Sequence, residues 1–181
     1  MRNKEKKSLP NPVLVGKRTE ISDSSASGKK NMEKHALYSL AFERIDQALA
    51  AKFPVEAIAI EESIISDRLY SILKSLVPDF LKEFDGGIGP RLNAVRLCCW
   101  RDEDGGLLAD VKQWIKRRNQ AIHGIVASKA GGKAKQTPAN FVPYAMSTAR
   151  LGKKLSRRVD NWARKVKRMA EKFHTNTKKG K

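Results

Sequence analysis

LGKKLSRRVDNWARKVKRMAEKF, residues 151–173, decides the fold. Leu151, Leu155, Val159, Trp162, Val166, Met169 and Phe173 step by 4, 4, 3, 4, 3 and 4 residues, which is the spacing of a single helical face. The positions between them are mostly Lys and Arg, so one face is built to be buried and the others to meet water or a polyanion. The spacing predicts a long helix that begins around Pro138 to Pro143 and continues to about Phe173.

Working back from this helix, the same period recurs. From Leu107, the residues Leu108, Val111, Trp114, Ile115 and Ile122 make a second amphipathic helix that ends near Gly124 to Ser128. Upstream, Leu92 to Trp100 reads as a short helix carrying Val95, Leu97 and the cysteines, set between the breaks Asp85 to Pro90 and Asp102 to Gly106. Pro54 opens a stronger helix on Ile58, Ile65, Leu69, Ile72 and Leu76, ending at Val77 before Pro78. A first helix runs from about Glu33 to Lys52 on Leu37, Leu40, Ala41, Ile45, Ala48 and Leu49. No alternating strand pattern and no internal repeat appears. The fold class is therefore all-α, a bundle of four to five helices. It occupies residues 32–174, between a disordered basic arm at 1–31 and a disordered basic tail at 175–181. Within the arm, Val13-Leu14-Val15 forms a short apolar island.

Length and charge narrow the function. A chain of 181 residues suits one core with tails. Its formal net charge of +18 is unevenly distributed. Residues 1–34 hold 9 basic and 4 acidic side chains, residues 35–110 hold 8 and 13, and residues 111–181 hold 20 and 2. A field so one-sided attracts a polyanion, and its interleaving with apolar residues at helical spacing assigns it to the folded body. Nucleic acid, RNA or DNA, is the expected partner, with an anionic membrane surface as the other polyanion such a field attracts. The contact surface is Lys153, Lys154, Arg157, Arg158, Arg164, Lys165, Lys167 and Arg168, with Lys116 and Arg117 nearby. The alternative is a merely solvated face, and across this helix Asp160 and Glu171 alone offset the cations.

Two adjacent cysteines, Cys98 and Cys99, make neither a disulfide framework nor a zinc site, and read as reduced core residues. No metal and no cofactor is expected. With no run of apolar residues long enough to span a bilayer and no leader-like pattern, the chain reads as soluble and cytoplasmic, without a membrane partner. Trp114 and Trp162 fall on apolar stripes and read as core anchors rather than base-stacking platforms. Glu61, Glu62 and Asp67 read as a solvated face, with a pairing to Arg118 across the bundle as the alternative. His174, six residues after Arg168, precedes a polar tail and is set aside.

The candidate chemistry lies in Trp114-Ile115-Lys116-Arg117-Arg118-Asn119-Gln120-Ala121-Ile122-His123-Gly124. An Arg and a His suffice in principle to cut RNA without a metal. The ribose 2'-hydroxyl is the nucleophile, an imidazole moves its proton, and a guanidinium holds the phosphate and its growing charge. Arg118 and His123, five apart, lie about 140° apart around a helix, whereas Asn119 and His123 share a face.

This segment, an Arg, a polar residue, three more residues and a His in a late helix of a small bundle, resembles the signature of the HEPN superfamily. The resemblance covers residues 33 to 173 in architecture and this segment in motif. It implies a metal-independent endoribonuclease, typically homodimeric, in toxin–antitoxin or antiviral settings, with an antitoxin protein as a further partner. In that reading Arg118 binds phosphate, Asn119 orients it and His123 is the acid and base. Members paired with nucleotidyltransferase antitoxins carry a Tyr two positions after the His. Here that position is Ile125, which sets this chain apart from that mode of regulation. The competing readings are a basic helical protein that binds nucleic acid without cutting it, and a helical interaction module.

Overall fold

A computed structural model describes residues 26–77, 86–98, 106–123 and 138–179 of the chain, with side chains described for residues 32–77, 86–98, 106–123 and 140–172. The expected disordered arm lies largely outside the described residues, as do Cys99, Trp100, the Gly-rich stretch after His123, and the side chains of Phe173 and His174. By internal contacts the chain divides into two units, Met1–His35 and Ala36–Lys181. The description below concerns the second, together with the helical residues leading into it.

All regular structure among the described residues is helical: α1 (Ala26–Ala50), α2 (Pro54–Leu76), α3 (Ile88–Cys98), α4 (Leu107–His123) and α5 (Pro138–Lys179). The fold is an all-α bundle of five helices, as the periodicities require. Cross-helix pairs set the directions. Tyr38 meets Asp67 and Arg44 meets Glu56, so α1 and α2 run antiparallel. Asp110 meets Arg158 and Gln120 meets Tyr144, so α4 and α5 do the same. Glu61 lies at Gly152 and Arg68 at Asp160, which makes α2 and α5 parallel neighbours. The core is apolar and continuous, with Ile58, Ile65, Leu69 and Ile72 from α2, Val111 and Trp114 from α4, and Leu155, Val159 and Trp162 from α5.

Three expectations change at the level of helical phase. On α1, Leu37 and Leu40 are exposed, at 65% and 60%, and the inward face is Tyr38, Ala41, Phe42, Ile45, Ala48 and Leu49. That set recurs at three and four residues; Leu37 falls on its shoulder and Leu40 toward the far side of the helix. On α3 the helix begins at Ile88, because Pro90 sits in the first turn where no backbone N–H is needed. The inward stripe is then Ile88, Leu92 and Val95, which turns Leu97 and Cys98 outward. Cys98 is free, as expected, but it is not a core residue. On α5, Met169 is half exposed, and small side chains complete the inward face: Ala145, Thr148, Ala149, Gly152, Ser156 and Ala163. Trp114 and Trp162 are buried, and the Trp114 indole N–H donates to the Thr148 carbonyl at 3.1 Å.

The largest departure is in the acidic face of α2. Glu61, Glu62 and Asp67 are not a solvated face. Glu61 is fully buried, and neither carboxyl oxygen makes a hydrogen bond of normal geometry. Burial pushes its pKa up to about 9, against the opposing pull of the Lys153 backbone N–H and ammonium. A carboxyl in such a place keeps its proton at neutral pH, since the charged form would lose its hydration. Gly152 makes room for it: a Cβ there would stand 2.0 Å from Glu61 Oε2 and 2.6 Å from Trp114 Nε1. Asp67 accepts a hydrogen bond from the Tyr38 hydroxyl, and Glu62 pairs with Arg118.

A second polar device ties α5 to α2 and α1. Asp160, 5% exposed, is held by Arg68 Nε and Arg164 Nη2, each at 2.6 Å. The Arg68 guanidinium lies 3.8 Å above the Tyr38 ring. Burial and the bond to Asp67 raise the Tyr38 pKa well above that of a free phenol.

These contacts predict two outcomes. Gly152→Ala costs about 1–3 kcal/mol by overpacking, and combining it with Glu61→Ala returns part of that loss, both measured by denaturant melts. Because the folded state holds the Glu61 proton up to pH about 9 while the unfolded chain releases it near 4.5, wild-type stability falls as pH rises between those values. The slope approaches ~1.4 kcal/mol per pH unit. Glu61→Gln flattens that slope, and melting curves at pH 5, 7 and 9 check it.

Candidate functional site

α4 carries Lys116, Arg117, Arg118, Asn119 and His123 on its last two turns. Its inward stripe, Leu107, Leu108, Val111, Trp114 and Ala121, fixes the phase in which these residues leave the helix. Arg118, about one-fifth exposed, turns its side chain toward α2. One terminal nitrogen pairs with Glu62 and the other donates to Asn119 Oδ1 at 2.7 Å, while Nε is buried without a hydrogen-bond partner. Two of the four terminal N–H bonds are thus committed, and two remain for a ligand.

The structure therefore brings Arg118 and Asn119 together and adds Glu62. His123 stands exposed as the last residue of α4. No hydrogen bond joins it to Arg118 or Asn119 among the described residues. For Arg118 this is the separation expected of residues five apart on one helix; Asn119, four from His123 and on its face, turns its side-chain oxygen to Arg118 instead. The Arg–Asn contact was legible in the motif. The role of Glu62 was visible only as the lesser of two readings, because a carboxylate on a polar helix face is ordinarily solvated.

Arg117, beside it, donates to Ser147 Oγ at 2.7 Å and lies 5.4 Å from the centre of the Tyr144 ring on α5. Lys116 is exposed. On α5 the expected RNA-contacting residues divide into two groups. Lys153 pairs with Asp46, Arg158 with Asp110 at 2.7 Å, Arg164 with the buried Asp160, and Lys167 with Glu171 at 3.8 Å. Arg157 packs its guanidinium over Phe42 at 5.3 Å. Lys154, Lys165 and Arg168 are exposed, and with Arg150, Arg157 and Lys172 they form an outward stripe spaced by three, four or eight residues along α5. Asp46 and Asp110, from other helices, offset cations that α5 considered alone leaves uncompensated.

A cleft between α2 and α3 was not anticipated. It has a volume of about 360 Å³ and is lined by Ser63, Ser66, Asp67, Tyr70 and Arg91. The signal for it was the i, i+3, i+4, i+7 polar stripe of α2 opposite its apolar face.

Among the described residues no group of three or more His, Cys, Asp and Glu side chains converges to hold a metal ion, and no helix is long and apolar enough to cross a membrane. No protein-family profile, curated protein or solved structure matches the chain.

The Arg118–Glu62 contact makes a measurable prediction. In a double-mutant cycle on Glu62→Gln and Arg118→Met, thermal or urea melts give a coupling of about 1 kcal/mol, in the range expected for a partly shielded pair in contact. Zero coupling means that the two side chains do not hold each other.

Proposed function

We propose that the chain is a metal-independent endoribonuclease of HEPN type, acting as a homodimer in a toxin or antiviral defence setting. The observation that carries the reading is the support of Arg118. Its guanidinium is aimed by Glu62 and Asn119 while keeping donors free, as a group that must meet a phosphate at a fixed place requires.

In this reading the RNA backbone runs along the open cationic stripe of α5, where Lys154, Lys165 and Arg168 contribute salt-dependent affinity. Lys116 and Arg117 extend that contact onto α4. The 2'-oxygen attacks the adjacent phosphorus, forming the P–O2' bond as the P–O5' bond breaks. An imidazole takes the 2'-proton, an imidazolium gives a proton to the departing 5'-oxygen, and a 2',3'-cyclic phosphate remains. Arg118 binds the non-bridging oxygens as their charge grows. His123 lies beyond hydrogen-bond reach of Arg118 within one chain, so the dimer supplies a rationale: the His123 of one protomer can serve the Arg118 of the other. A protein antitoxin covering the same face is the corresponding partner.

The second reading, a helical protein that binds RNA without cutting it, is favoured by the α5 stripe alone, which needs neither Arg118 nor His123. Incubating the protein with RNA in excess EDTA separates the two. Cleavage by the wild type, lost by a factor of 10² or more in His123→Ala and in Arg118→Ala with binding retained, is the expected result. Salt-dependent binding without cleavage in the wild type establishes the second reading instead.

A further inference from the structure

The cleft between α2 and α3 lies beside the Arg118 site. Its residues Ser63, Ser66, Asp67 and Tyr70 follow Glu62 on α2, and Ser66 is one helical turn, roughly 6 Å along the axis, beyond the residue that holds Arg118. A cleft of about 360 Å³ at that distance has room for one planar base of a strand whose phosphate sits on Arg118.

The lining determines which base. Arg91 is fixed in place: Nη1 donates to Ser66 Oγ at 2.8 Å and to the Ser66 carbonyl at 3.4 Å, and the guanidinium lies 5.2 Å from the centre of the Tyr70 ring. Its Nε is buried without a hydrogen-bond partner, and no other bond is made by its guanidinium among the described residues. An oriented guanidinium with unused donors reads two acceptors on one edge of a base. Asp67 also lines the cleft with a carboxylate held by the Tyr38 hydroxyl, which donates to Oδ2. A carboxylate reads donors. Guanine is the RNA base with two acceptors, O6 and N7, on one edge and two donors, N1–H and the 2-amino group, on the next. The Tyr70 ring supplies an aromatic wall for stacking. A phosphate fits less well, because Asp67 would repel it.

We propose that this cleft is a guanine subsite that places a G next to the phosphate bound by Arg118. The proposal rests on the reading of the chain as an RNA-binding protein with Arg118 at the phosphate, and it adds a base preference to that reading. Arg91 donates to O6 and N7, Asp67 accepts from N1–H and the 2-amino group, and the Ser63 hydroxyl lies at the rim.

Binding to non-cleavable RNA tests it apart from catalysis. Short 2'-O-methyl oligonucleotides with a single central G, A or inosine, in an otherwise uridine context, are titrated against the full chain by fluorescence anisotropy at fixed salt. The expected result is tighter binding of the G strand than the A strand by about tenfold or more, with inosine between them because it lacks the 2-amino group. Arg91→Ala and Asp67→Asn abolish the preference while leaving the A strand bound. Ser63→Leu fills the mouth from an exposed position where the fold is not at risk, and it has the same effect. Arg118→Ala weakens every strand alike and keeps the preference. Equal affinity for G and A in the wild type overturns the proposal, as does a preference that survives both Arg91→Ala and Ser63→Leu. An Arg91→Ala variant that weakens all strands equally also overturns it, by assigning the cleft to the phosphate backbone. A G preference in a protein that cuts nothing upholds the subsite and removes the nuclease reading. Cleavage with no base preference does the reverse.

Discussion

The seam between α2 and α5 is possible because residue 152 has no side chain. Gly152 lets the Glu61 carboxyl and the Trp114 indole occupy one space at the centre of the bundle, closer to the α5 backbone than any Cβ would permit. Around that point the other contacts fall into place. The Trp114 N–H reaches the Thr148 carbonyl one turn earlier on α5, and Arg68 reaches Asp160 two turns later. The register of α2 against α5 is therefore set by polar groups in an otherwise apolar seam, as expected where a uniform apolar surface would tolerate sliding. A protonated Glu61 is the compatible form, since an ionised carboxylate there would be buried without a partner.

That register also positions the candidate site. Glu62 is the residue after Glu61, so the notch that buries one carboxyl delivers the next to Arg118 on α4. One turn further along α2, Ser66 and Asp67 face Arg91 of α3 and form the cleft. Arg118 and the cleft are thus neighbours because α2 supplies a side chain to each. A shift of α2 by one residue would break the Glu62 pairing and the polar lining together. The candidate nuclease chemistry and the inferred base subsite depend on the same helix register.

The charge of the protein is similarly divided by tertiary contacts. Along α5 the cations on the flanks of the buried face are neutralised by Asp46 and Asp110, which join α5 to α1 and α4, and Arg164 by Asp160 within α5 itself. Those farthest from the core stay open, and they run along the molecule as a stripe rather than a patch. A stripe matches a strand of phosphates in geometry, and its affinity is the kind that falls with salt.

The sequence alone determined the all-α class, the ends of α2 at Pro54 and before Pro78, the start of α4 at Leu107, and the burial of Trp114 and Trp162. These follow from helical period and from proline, which act over a few residues. The Arg118–Asn119 contact was implied by the resemblance of the motif rather than by adjacency, since neighbouring residues on a helix do not face each other. Tertiary structure alone decided the phase of α1, where Tyr38 and Phe42 turn inward past Leu37 and Leu40, since the partner surfaces on α2 and α5 choose between overlapping stripes. The fate of the α2 carboxylates was decided there too. Ile58, Glu61 and Ile65 lie on one face, so the sequence did hold the signal that Glu61 points inward. Nothing short of Gly152, ninety-one positions away, could say that a carboxyl would be accommodated. Buried polar residues are read correctly only with their partners, and partners on other helices are what local sequence leaves open.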